Sequence, residues 1–296
     1  MGNFLSQIST IYSSYWNYLL KELTNPFNNG GSYFYLLIAI SLLAWSLEII
    51  VPWRKNQAIF RKDFWIDAFY MFFNFFIFNL LIFIVLSSLT AKYFQNFMQF
   101  IHLPKSGIFD LSSFSLWIQF PIYFLLADFV QWIIHVSLHK NKFLWKFHKI
   151  HHSVTEMGFA AHLRYHWLET LVYKTGMYIV LAWLLNFKLE HVFILHAFTI
   201  LIGHLNHTNI ALDYGIFKYV LNNPKMHIWH HAKKIPENLP FGMNFGITLS
   251  IWDYLFKTAY VPHDGKDIEL GFEKIETFPR GFFAQFVNPF KKEKTK

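Results

Sequence analysis

The chain has 296 residues, 54% hydrophobic and 21% aromatic, with 36 phenylalanines, a mean hydropathy of +0.27 and only 15% charged residues. A soluble domain carries about a quarter charged residues, so this composition excludes an ordinary water-soluble globule and points to surface facing lipid. Cysteine is absent, which excludes disulfides, thiolate zinc sites and cysteine-ligated iron–sulfur clusters, and the net charge of +8 sits beside apolar runs, with no nucleic-acid-binding motif.

Residues 4–20 place Phe4, Ile8, Ile11, Tyr12, Tyr15, Trp16 and Leu19 at helical spacing. The segment is too polar to span a bilayer and lacks the basic start and cleavage site of a signal peptide. It reads as an interfacial amphipathic helix, or equally as a helix packed on the rest of the chain. Two apolar runs follow, 33–51 and 67–89, each near the ~20 residues that cross a hydrocarbon core. Between them lie Arg54, Lys55, Arg61 and Lys62, flanked by Trp53 and Trp65, a short basic loop of the kind that stays in the cytosol. Residues 91–112 read as a loop on the far side. A third run, 114–134, returns to the cytosol, where Lys140, Lys142, Lys146 and Lys149 follow. The stretch 171–206 reads as a short apolar helical hairpin turning at Asn186–Glu190. The segments 135–170 and 207–287 form a cytosolic cap, Pro236, Pro240, Gly242 and Gly246 mark a loop, and 288–296 is a basic tail. With no internal repeat and no linker, the expectation is one all-α domain, 1–296: an integral membrane helical bundle under a cytosolic helical cap.

The chemistry lies in the histidines. His135 and His139 stand one helical turn apart at the end of the third run. Ionisable groups there are costly unless paired or coordinated, although a lone pair of this kind also serves as a simple hydrogen-bonding element. The triplets His148, His151, His152 and His227, His230, His231 repeat the pattern HxxHH. Positions i, i+3 and i+4 share a helical face, so each triplet offers three imidazoles in nearly one direction. Eight such ligands exceed the needs of one metal ion and predict a dimetal site. His207 is the next candidate ligand and His204 the one after it. His162 and His166, one turn apart, suit ligand, supporting or substrate-facing roles, and Asp128, Glu169 and Asp253 are candidates to orient a ligand from behind. His102, His191, His196 and His263 have no partner at helical spacing and read as structural.

Imidazole suits iron, zinc, copper and nickel alike. The Glu-x-x-His pattern of soluble di-iron bundles and the His-Glu-x-x-His of zinc proteases are both missing. Neutral ligands leave the charge of two cations largely uncompensated, which suits dioxygen chemistry. A rival reading is a membrane metal transporter or metal-storage protein. It predicts ligands spread along a transmembrane path, whereas these gather at span ends and in the cap. A second rival is a catalytically silent protein that keeps metal for structure.

The ordered set of His135-Val-Ser-Leu-His139, His148-Lys-Ile-His151-His152 and His227-Ile-Trp-His230-His231 resembles the fatty acid hydroxylase/sterol desaturase superfamily. So do Arg164–Glu169, Asn206–Asn209 and Asn244–Asp253, so that the resemblance covers about residues 114–260. It implies an integral membrane protein with two histidine-held irons on the cytosolic side, using dioxygen and two electrons to hydroxylate or desaturate a lipid C–H bond. The bacterial inner membrane and the endoplasmic reticulum both fit. No haem, flavin or dinucleotide-binding segment is visible, so a separate electron-donor protein, cytochrome b5-like or ferredoxin-like, is expected.

Overall fold

The computed structural model describes residues 2–25, 32–78, 84–104, 108–173, 183–186 and 189–291. These residues are helical and contain no strands, with two isolated bridges, Leu221 to Leu249 and Ala232 to Leu270. In chain order the helices are α1 (Gly2–Thr24), α2 (Tyr33–Ile50), α3 (Phe64–Phe72), α4 (Ile84–Phe100), α5 (Leu116–Lys140), α6 (Lys142–His148), α7 (Trp167–Leu171), α8 (Leu189–His207), α9 (Pro224–His230), α10 (Ile251–Leu255) and α11 (Phe282–Val287).

Among the described residues two helices, α2 and α5, are long and apolar enough to cross a membrane. Neither concentrates its apolar residues on one stripe, the pattern of a helix surrounded by apolar material. Leu36, Leu42 and Leu43 on α2 and Trp117, Ile118 and Leu125 on α5 are exposed. The predicted 67–89 span falls partly on 79–83, outside the described residues. Before the gap α3 runs into a π-helical stretch, Phe73–Ile77. After it α4 continues to Phe100, through residues whose composition reads as a loop, because Phe94 and Met98 repeat at helical spacing and turn inward. α1 packs on α4, with Lys92 Nζ donating to Gln7 Oε1 at 3.3 Å. Within the predicted 171–206 hairpin, residues 174–182 and 187–188 lie outside the described residues, and α8 runs unbroken from Leu189 to His207.

The chain divides into two compact units, one of Met1–Ile40, Phe73–Ala127 and Thr170–Ile200, the other of Ser41–Phe72, Asp128–Glu169 and Leu201–Lys296. In the first, Phe109 N donates to Leu184 O and Trp183 Nε1 to Pro104 O. The second unit holds every candidate ligand. Its apolar core joins Val154, Met157, Ala161, Ile228, Trp229, Met243 and Leu270. Beside that core runs a buried ion-pair chain. Arg61 and Arg164 both donate to Asp67, at 2.5 and 2.9 Å, and Glu48 accepts from Phe159 N at 2.9 Å. Buried charges persist only when paired in this way, and here they anchor the 156–164 segment under the histidines.

Two short helices are placed by their caps. Asn141 accepts from Phe143 N and Leu144 N to start α6. Asn223 accepts from Met226 N to start α9, with Pro224 in the first turn, where its missing N–H costs nothing.

Candidate metal centre

Nine imidazoles gather in two groups inside the second unit: His135, His139, His148, His152 and His230, and then His151, His207, His227 and His231. Within each group the candidate ligand atoms lie within 4.8 Å of one another. The groups interleave along the chain. In each HxxHH triplet the outer pair, at i and i+4, joins one group while the i+3 histidine joins the other. His148 and His152 go to the first group and His151 to the second; His227 and His231 go to the second and His230 to the first.

Backbone carbonyls and one carboxylate decide which nitrogen faces inward. His135 Nδ1 pairs with Phe245 O at 2.7 Å, His230 Nδ1 with Met243 O at 2.8 Å and His207 Nδ1 with Gly203 O at 2.7 Å. His148 Nδ1 pairs with Glu169 Oε1 at 2.9 Å. A carbonyl can only accept, so the proton sits on Nδ1 of His135, His230 and His207, and Nε2 carries a bare lone pair. His135 Nε2, left bare in this way, faces His148 Nε2 at 3.1 Å. His139 Nε2, His152 Nε2, His230 Nε2, His151 Nδ1 and His231 Nδ1 are buried without a hydrogen-bond partner. Unpaired buried nitrogens cost about 1–3 kcal/mol each. A cation among them removes that cost, so the residues present fit a pair of metal ions.

Burial pushes His148, His151, His152, His227, His230 and His231 well below the ordinary 6.5, and neighbouring imidazoles push the same way. The folded chain therefore binds fewer protons than the unfolded chain as pH falls through the ordinary histidine value. Their contribution to stability is complete above about pH 6.5 and is lost as pH drops below it. Thermal unfolding of metal-free protein from about pH 8 to about pH 5 should show a falling midpoint only on the acid side; a flat profile would contradict it.

The remaining predicted residues fall into three sets. Glu169 touches a ligand candidate directly; its own carboxyl is pushed well above the usual range by burial, and Oε2 has no partner. Asp253 braces the 245–246 turn, accepting from Phe245 N, Gly246 N, Trp132 Nε1 and Thr258 Oγ1 at 2.9, 2.7, 3.0 and 2.6 Å. Asp128 reaches Leu249 N and Trp252 Nε1 rather than a histidine ring. The third set lies beside the groups. His204 contacts Ser41 Oγ, Phe159 O and His162 Nδ1, and the His162 ring stands 5.2 Å from that of His207. Gly203 permits this approach, since a Cβ there would lie 2.2 Å from the His162 ring. His166 ties α11 down through Phe286 O at 3.0 Å.

Sequence reasoning missed the carbonyls of Met243 and Phe245, which seat two rings. It also missed Asn222, whose amide lies 3.4 Å from His227 Nδ1 and 2.5 Å from Gly246 O. The signal was a loop dense in Pro and Gly. Gly242, at φ +110°, can be only glycine without strain, and Asn244, at φ 54°, bonds Met226 O and Tyr260 O through its amide.

Residues 120–258 match the family model described as fatty acid hydroxylase. Ornithine lipid hydroxylase of Rhizobium tropici is 30% identical over 169 residues, covering 57% of this chain and 49% of that protein. Alkylglycerol monooxygenase of Xenopus tropicalis is 28% identical over 190 residues, 63% of this chain and 38% of the relative. A Delta(7)-sterol 5(6)-desaturase of Aspergillus fumigatus is 28% identical over 157 residues, 50% and 39%. The chain thus matches about half or less of the length of these curated relatives. No solved structure matches it.

Proposed function

From the match of residues 120–258 to the fatty acid hydroxylase family model, we propose that the chain is a membrane-embedded, di-iron, dioxygen-dependent enzyme of that family that hydroxylates or desaturates a lipid C–H bond. The observation that carries this reading is the pair of adjoining imidazole groups, five and four strong, whose candidate ligand atoms lie within 4.8 Å of one another in each group and which leave five buried ring nitrogens unpartnered. Two irons held there would supply the activation of dioxygen and the attack on an unactivated C–H bond.

The chain's own residues do the rest. His135, His139, His148, His152 and His230 would hold one ion, and His151, His207, His227 and His231 the other, with His162 beside His207 and His204 behind His162. Phe245 O, Met243 O and Gly203 O lock tautomer and ring angle, and Glu169 holds the His148 ring, before a metal arrives, so little reorganisation remains. His139 apart, these ring-bearing residues are buried, which keeps bulk water from the reacting carbon. The substrate arrives through the apolar surface of the membrane helices. The electrons come from a separate donor protein on the cytosolic side, where Lys140, Lys142, Lys146 and Lys149 mark the orientation. A transporter would spread ligands along a path, whereas all nine lie in one compact unit.

The test is lipid extraction after expression in a host lacking the activity. A lipid gaining one oxygen atom from labelled dioxygen, or losing one pair of hydrogens, supports the reading; an unchanged lipid profile with metal-loaded protein and a competent reductase overturns it. Glu169→Gln keeps the side chain's shape but replaces the carboxyl behind His148 with an amide. It is expected to weaken metal binding about 10–100-fold, read by chelator competition, and unchanged affinity would discard the role.

A further inference from the structure

We propose that the lobe formed by residues 214–220 and 251–257 is immersed in the headgroup–acyl boundary of the bilayer, beside α5. The proposal rests on the reading above that α5 spans a membrane. The lobe is pinned to α5 well below that helix's C-terminal end. Trp252 Nε1 donates to Asp128 at 2.8 Å and Trp132 Nε1 to Asp253 at 3.0 Å. Phe256 stacks on Trp132 and Phe129, with centroids at 4.6 and 5.9 Å. The 214–220 segment is joined to this platform, Ser250 N donating to Val220 O at 2.9 Å and Tyr219 meeting Tyr254 at 5.0 Å.

Depth follows from helix geometry. Trp132 and Phe129 precede His139 by seven and ten residues, hence by about 10 and about 15 Å along the axis. The interfacial layer on each side of the hydrocarbon is only about 5–8 Å thick. If α5 leaves the bilayer where Lys140 and the following lysines begin, the platform at Phe129–Trp132 lies at or below headgroup depth.

The lobe's surface suits that place. Ile216, Phe217 and Leu255 are 78, 64 and 62% exposed, and Tyr219 and Phe256 are exposed beside them. Exposed apolar side chains gathered on one lobe in this way are a liability in water. Lys218 and Lys257, both exposed, interrupt them. Their aliphatic stems can lie along acyl chains while the ammonium groups reach lipid phosphates. Tyrosine, with an apolar ring and a polar tip, favours the same layer.

Because the chain has no cysteine, single cysteines can be spin-labelled in the full chain, reconstituted in nanodiscs containing anionic lipid. The variants are Phe217→Cys and Leu255→Cys, with Leu42→Cys on α2 as the lipid reference and Asp264→Cys as the aqueous one; all four side chains are exposed. The labels at 217 and 255 are expected to collide with oxygen several-fold more, relative to a water-soluble nickel chelate, than the label at 264. Labels at 217 and 255 that behave like 264, while 42 remains in lipid, overturn the proposal and leave the spanning reading intact. A label at 42 that also behaves like 264 overturns both. Labels at 217 and 255 shielded from both reagents and broadened by a second spin would show that another copy covers the patch, and would overturn the proposal as well.

Discussion

Alanine in place of both His151 and His152 is expected to strip the folded chain of metal. The two residues are adjacent, yet they belong to different groups, so the double change removes one ligand from each. Elemental analysis of the detergent-purified protein should fall from about two ions per chain to near none, and lipid product should fall by at least about 100-fold, since even supporting residues behind a ligand are worth 10–100-fold. Stability separates this outcome from simple misfolding. In metal-free protein His151 Nδ1 and His152 Nε2 lack partners and His151 Nε2 has only His207 Nε2 at 3.3 Å, so removing the rings costs little beyond packing. Added metal stabilises only the form that binds it, by mass action. The unaltered chain should therefore gain thermal stability with added ferrous ion and the variant should not. Equal metal content in both proteins would sink the assignment of these groups as a metal centre.

Asp253→Ala is the second large effect, and it acts through the backbone of one turn rather than by a hydrogen bond to an imidazole. The Asp253 carboxylate is buried and accepts from four donors, two of them the amides that open the turn after Met243 and Asn244. That turn carries Phe245 O, the acceptor for His135 Nδ1, and begins beside Met243 O, the acceptor for His230 Nδ1. Removing the carboxylate orphans several buried donors at once, which should cost about 3–5 kcal/mol of stability. It also frees two rings of the first group to turn, so metal affinity should fall with stability. Chemical unfolding and chelator competition on one preparation measure both losses. Asp253→Asn keeps one acceptor oxygen but sets an NH2 against the amides, and should fall between the two. A variant within about 0.5 kcal/mol of the parent would show that the turn holds its shape unaided.

How far the sequence could be read depends on the range of the interaction. Helical spacing of His135 with His139, and of the two HxxHH triplets, is local and visible. So are the caps Asn141 and Asn223 with Pro224. Which group each histidine joins is not local: α6 ends at His148, and the chain carries His151 and His152 onward through a tight turn. Spacing also sets His204 and His207 on one face, but Gly203 opens a gap that His162 fills, and the His204 ring pairs there instead. Asp128 sits at the right interval to stand behind His135, yet its carboxylate meets a tryptophan more than a hundred residues later, which no periodicity reports. The seats on the 243–246 loop are legible only as a cluster of glycines and prolines. The carbonyls that matter there belong to the backbone, whose identity no side chain announces.

The crossing of the triplets between the two groups has a consequence for assembly. Because each short helix end reaches into both pockets, neither pocket can relax without dragging rings out of the other. Whatever seats one triplet therefore seats rings in both groups, so the two groups are expected to form together, or fail together, as the chain folds.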